Sequence, residues 1–174
     1  MKKTLFFISL SLASLTYLTA QEIVISSGAN IQVAAGASLN VDGLELAPSV
    51  SFSFTENTFT KSSTAIMANS NESMDRVYTL VNPVIAFQGT IVFNYEDADE
   101  NGIADADAVL ELNQGGTWVN YPDTDGVDNM VTSTIGSAVN FTQVTASSSS
   151  ATLTVGPTSE KLFVKVNSSL TEVN

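Results

Sequence analysis

Side chains alternate along almost the whole chain after its first twenty residues. Asn30-Ile31-Gln32-Val33, Ser51-Phe52-Ser53-Phe54, Thr90-Ile91-Val92-Phe93-Asn94-Tyr95 and Thr152-Leu153-Thr154-Val155 each set apolar residues at every second place. In an extended backbone successive side chains point to opposite faces, so this period gives each segment one oily side and one wet side. The runs at Glu22–Ile25, 38–41, 44–46, 76–81, 109–112, 130–135, 139–144 and 162–166 read the same way, with Gly, Asn, Asp or Ser in the gaps between most of them. Many short strands separated by turn residues predict an all-β fold, an antiparallel β-sandwich. No amphipathic helix competes with this reading. Ala65-Ile66-Met67-Ala68 is flanked by Ser, Thr and Asn and falls in a polar stretch, 62–73, that reads as a long surface loop; 147–150 reads as a shorter one.

Two units repeat at a spacing of eight residues, Gly28-Ala29-Asn30-Ile31-Gln32-Val33 and Gly36-Ala37-Ser38-Leu39-Asn40-Val41. Each is a Gly-Ala turn followed by two apolar residues two apart, which predicts an N-terminal β-ribbon over 21–47, a short solenoid-like meander leading into the sandwich. Two copies are too few for a free-standing solenoid. Asp42-Gly43 between Val41 and Leu44 predicts a two-residue hairpin turn, because glycine tolerates positive φ.

The first twenty residues, MKKTLFFISLSLASLTYLTA, break the pattern. Lys2 and Lys3, the apolar run from Leu5 to Leu18 and the small residues at Thr19-Ala20 read as a secretory signal peptide, and the run is short for a membrane span. Residues 21–174 then form a single domain with no further apolar stretch of membrane length, so direct membrane insertion is not expected after cleavage. The expected address is extracellular or cell-surface, with the periplasm as the alternative.

Composition now limits the chemistry. The chain has no Cys and no His, so disulfides, Cys/His zinc sites and His- or Cys-based triads are excluded. After residue 20 there are 18 acids against four bases (Lys61, Arg76, Lys161 and Lys165), a formal charge of 4 minus 18, or −14. Nucleic acid is therefore an unsuitable partner, since its binding rests on Lys and Arg neutralising phosphates.

The acids concentrate in Glu96-Asp97-Ala98-Asp99-Glu100-Asn101-Gly102-Ile103-Ala104-Asp105-Ala106-Asp107. Alternate oxygen-bearing side chains at Asp97, Asp99 and Asn101, a glycine for the turn, the carbonyl of Ile103, and then Asp105 and Asp107 match what a calcium loop requires. The twelfth position, where an EF-hand places a bidentate Glu, is Ala108, and both flanks read as strands, so an EF-hand is excluded. Calcium is the one cofactor this pattern points to; the plainer reading is a solvated acidic turn. A second turn, Asp123-Thr124-Asp125-Gly126-Val127-Asp128-Asn129, has fewer ligands and reads as a hairpin loop.

Trp118, the only Trp, and Tyr121 are candidate ligand contacts for a sugar ring; the plainer expectation for a strand Trp is the core. Glycoside hydrolysis needs two acids facing across a cleft, and these acids sit in one loop, so no enzyme is expected. Leu162-Phe163-Val164-Lys165-Val166 reads as a closing strand, or as an edge that pairs with another copy.

The stretch Gly36 to Ser49, then Phe59-Thr60-Lys61-Ser62, Arg76-Val77-Tyr78, a strand from Gly89 leading to acids and Asn101-Gly102, and Gly116-Thr117-Trp118-Val119 follow one another in an order that resembles a β-rich module recurrent in secreted and cell-surface, adhesin-like proteins of Bacteroidetes. The resemblance covers roughly 28–145. It implies a surface module without catalytic residues. With the aromatic candidates and the 162–166 strand, the expected partners are other surface proteins, glycans or copies of itself. The end of the chain, 160–174, does not resemble the sorting domain that many such proteins carry.

Overall fold

A computed structural model describes residues 23–149 and the backbone of two strands at 162–166 and 169–173. The expected leader lies outside the described residues. The strands, in chain order, are β1 (Ile23–Val24), β2 (Asn30–Val33), β3 (Leu39–Val41), β4 (Leu44–Pro48), β5 (Phe52–Thr55), β6 (Thr58–Ser62), β7 (Met67–Ala68), β8 (Asn71–Glu72), β9 (Val77–Asn94), β10 (Ala108–Gln114), β11 (Thr117–Pro122), β12 (Met130–Ser148), β13 (Leu162–Val166) and β14 (Ser169–Val173). No α-helix occurs among the described residues; two short 3-10 turns lie at Asp97–Asp99 and Asp105–Asp107.

The protein is all-β and antiparallel. Its main sheet runs β1-β6-β9-β12-β10-β11. One edge of β9 is shared by two partners, β6 at Val77–Leu80 and β4 at Gly89–Phe93, while β12 runs along the other edge. The runs 76–81 and 90–95, separate in the sequence pattern, thus belong to one strand of 18 residues, and 130–135 and 139–144 to one of 19.

Both long strands bend where their registers slip. Between Thr79 and Val84, five steps of β9 face the two from Gln143 to Phe141; between Val84 and Phe87, three face two; between Phe87 and Gly89, two face four. Pro83, which lacks the donor a regular ladder needs, falls in the first slip, and Ala86 takes φ 53° in the second. The inward positions change parity there, from Tyr78, Leu80 and Val84 to Phe87, Ile91 and Phe93. The sheet folds over at this corner into a sandwich, so that Leu44 and Leu46 of one half and Leu110 and Leu112 of the other share a single core. Phe52 and Phe54 of β5 close it: their rings meet edge to face at 4.8 Å, Phe52 meets Phe87 at 5.3 Å, and Phe87 meets Phe141 at 6.0 Å.

The predicted turn at Asp42-Gly43 forms, with φ of 47° and 97°, and joins β3 to β4. The eight-residue repeats do not stack into the expected ribbon or solenoid-like meander. β3 folds back on β4, and β2 pairs with β5, setting Val33 opposite Phe52 and Ile31 opposite Phe54. The tight hairpin takes β3 locally, and β2 pairs instead with β5, where Val33 is buried and Ile31 stays exposed. The 62–73 stretch contains a short β7–β8 hairpin, and Ser147–Ser148 finish β12 rather than forming a loop.

Candidate functional site

The acidic segment is held to the sandwich by its own carboxylates. After β9, Tyr95 is buried and its hydroxyl donates to Asp105 Oδ1. Asp99 Oδ2 accepts from Glu96 N (3.0 Å) and from Arg76 Nε (2.8 Å), which closes the first 3-10 turn onto the residue that precedes β9. Asn101 (φ 51°) and Gly102 (φ 77°) reverse the chain, and Asn101 Nδ2 donates to the Ser73 carbonyl at 2.9 Å. The side chain of Ile103 is buried in the core beneath this turn, while Asp107 is exposed.

Asn129 joins this segment to the second acidic turn. Its Nδ2 donates to Asp97 Oδ1 (2.7 Å), its N–H to Asp105 Oδ1 (3.3 Å), and its carbonyl accepts from Tyr95 N (3.1 Å). Two stretches that look independent in sequence therefore form one acidic end of the molecule. Between them lies an open cleft of about 580 Å³ whose lining includes Asp105, Val109, Pro122, Asp123 and Asp128. Asp123 organises its far side: burial alone would raise its pKa, but the N–H groups of Thr132 (2.8 Å), Gly126 (2.7 Å) and Asp125 (3.4 Å) bond the carboxylate and bring it below the usual value. Burial and the Asp105 carboxylate push the Tyr95 phenol up, so it stays protonated and donating.

The predicted ligands Asp97, Asp99, Asn101, Ile103, Asp105 and Asp107 are thus close in the chain but turned to different tasks. Asp97 faces Asn129, Asp99 faces Arg76, and Asp105 faces Tyr95. Among the described residues no group of three or more acidic side chains converges as a metal cage. Calcium would need six to eight oxygens at about 2.3–2.6 Å.

Arg76 is the pivot between the acidic end and the sandwich. Besides Asp99 it reaches the Asp42 carbonyl (3.0 Å) and the Tyr78 hydroxyl (3.2 Å), and Tyr78 donates to the same carbonyl at 2.6 Å. Lys61 pairs with the Asp42 carboxylate. Lys61 and Arg76 are the only bases between residues 23 and 149, and both are occupied here.

The two aromatic candidates part company. Trp118 lies opposite Asn113 and Tyr121 opposite Leu110 on the β10–β11 hairpin. Opposed residues share a face, so Tyr121 packs on the core, donated to by Gln114 Nε2 at 2.8 Å, and Trp118 stands half-buried on the solvent side. They cannot form one platform.

The spacing of the acids marked the loop but gave no sign of Arg76 or Asn129. Asn129 is 32 residues from Asp97, and only the β9–β12 pairing brings them together, with Met130 opposite Asn94. The protein is an antiparallel β-sandwich with one acidic end. No family model matches the chain, and no curated protein or solved structure matches it either.

Proposed function

We propose that this chain is an exported, non-catalytic module with a structural or adhesive role at the cell surface. The observation that carries the reading is how the acids are used: Asp97, Asp99, Asp105 and Asp123 accept hydrogen bonds from Asn129, Arg76, Tyr95 and Thr132, which tie the acidic turns to one another and to the sandwich. Carboxylates committed in this way serve the scaffold rather than a reacting group, whose pKa an enzyme would tune toward its working pH. The leader-like start, the charge of −14 on the exported part and the order of short motifs support the same address. Calcium enters as a stabiliser of the acidic end, where closely spaced carboxylates repel.

The test has two arms. In the cells that produce it, a tagged copy should be removed from intact cells by added protease, and the purified chain should be retained on those cells after washing. A tag protected until lysis overturns the surface reading. Turnover of any polymer or ester substrate that disappears in Asp105→Asn overturns the non-catalytic one.

A further inference from the structure

The solvent side of the main sheet carries one unbroken row of uncharged side chains. Thr60 on β6 lies opposite Thr79 on β9, Thr79 opposite Gln143 on β12, Gln143 opposite Asn113 on β10, and Asn113 opposite Trp118 on β11. Directly opposed residues share a face, so all five project from the same side. At about 4.8 Å between neighbouring strands the row spans roughly 19 Å. Every member is exposed or half-exposed.

The row is ordered from within. Asn113 Nδ2 donates to Gln143 Oε1 (3.0 Å), and Gln143 Nε2 donates to Thr79 Oγ1 (3.3 Å). Asn113 Oδ1 in turn accepts from Gly116 N at 2.8 Å. Each primary amide has two N–H groups and uses one along the row, and the Thr79 hydroxyl accepts there and keeps its own proton to donate. The outcome is a line of three hydrogen-bond donors, at Thr79, Gln143 and Asn113, fixed at strand spacing before any ligand arrives, so little side-chain freedom is lost on binding; Thr60 beside them donates to the Thr79 carbonyl at 3.4 Å. The apolar surface is placed to match. Trp118 ends the row, and Val81, two residues from Thr79 on β9, is 71% exposed. On the other flank Val77, Thr145 and Glu111 are buried, which leaves the row as a ledge beside covered surface.

We propose that this row binds a neutral glycan laid across the strands, which names the partner class of the adhesive role and rests on that reading. A sugar chain repeats oxygen acceptors along its length and offers apolar C–H faces to an aromatic ring. A peptide would instead seek the backbone groups of a sheet edge, and this row runs across the strands and offers side chains alone. A polyanion would meet a protein of −14 whose bases between 23 and 149 are both occupied.

The test is affinity electrophoresis of the whole exported chain, 21–174, through gels containing a soluble β-glucan, a mannan or a xylan, with polygalacturonate as the anionic comparison. At least one neutral polymer should retard it. Trp118→Ala and Gln143→Leu, each checked for folding by circular dichroism, should lower the affinity roughly tenfold or more, and Thr134→Ala, on the other half of β12, should not. Thr79→Val replaces Trp118→Ala should that variant fail to fold. Migration unchanged in all three neutral polymers, retardation by polygalacturonate alone, or full retardation of the folded variants overturns the inference. A chain that stays on washed cells yet ignores the glycans keeps the adhesive reading and loses only this one.

Discussion

Glu111 is fully buried on β10, yet only one of its oxygens is paired: Oε1 accepts from Ser147 at 2.9 Å, and Oε2 has no hydrogen-bond partner among the described residues. Burial raises its pKa, and the Ser147 hydroxyl offsets part of the rise. The folded state therefore holds the proton more tightly than the unfolded chain does. Stability from this residue is complete below the ordinary glutamate value and falls as pH rises through the raised one. Glu111→Gln should flatten that fall and raise stability at pH 7 by on the order of 1 kcal/mol, read from urea midpoints across pH 4 to 8. A variant with the native pH slope would show that Glu111 does not cause it. Arg76 poses the opposite case, a buried charge whose Nε and Nη1 are both paired. Its Nε and Nη1 serve Asp99, Asp42 and Tyr78 in a planar fork that an ammonium cannot reproduce. Arg76→Lys should cost about 3 kcal/mol, seen as a lower midpoint at unchanged denaturant slope.

Among the elements, Gly89 shows why the β4–β9 pairing depends on one residue. It lies opposite Pro48 with φ 150°, and a Cβ there would run into the Ala47 carbonyl and come within 2.7 Å of Pro48 Cα. Gly89→Ala should cost on the order of 3 kcal/mol or abolish folding, and thermal melts of the two proteins decide it. The strands themselves were legible because alternation follows directly from pleat geometry: Phe52 and Phe54, Ile91 and Phe93, Leu110 and Leu112 all point inward as their spacing predicts. The length of β9 was not legible, since Pro83 and the break in period at Ile85–Ala86 look like the end of a strand when they mark a bend inside one. The pairing of β2 with β5 escaped for a related reason: a repeat signals similar units, but the Asp42-Gly43 hairpin ties β3 to β4 and leaves β2 a partner outside the repeat. Of the proposed glycan row, Trp118 stood out by its side chain; Thr79, Asn113 and Gln143 did not, because wet-face polar residues look alike until register aligns them.

For the molecule as a whole, charge is unevenly placed. The two acidic turns meet at Asn129, and no base between 23 and 149 is left over to neutralise them. Like charges about 4 Å apart in water repel by roughly 1 kcal/mol at low salt. Millimolar calcium chloride should raise the melting temperature by about 3 °C over sodium chloride of equal ionic strength. Coincident melts in the two salts would reduce the effect to screening and remove a calcium site at 97–107.

The crossing of β9 and β12 through both layers bears on how the protein would meet tension. Neither layer owns its central strands, so neither can be peeled away while the other holds. A pull on β9 or β12 is carried from one layer into the other along continuous covalent chain.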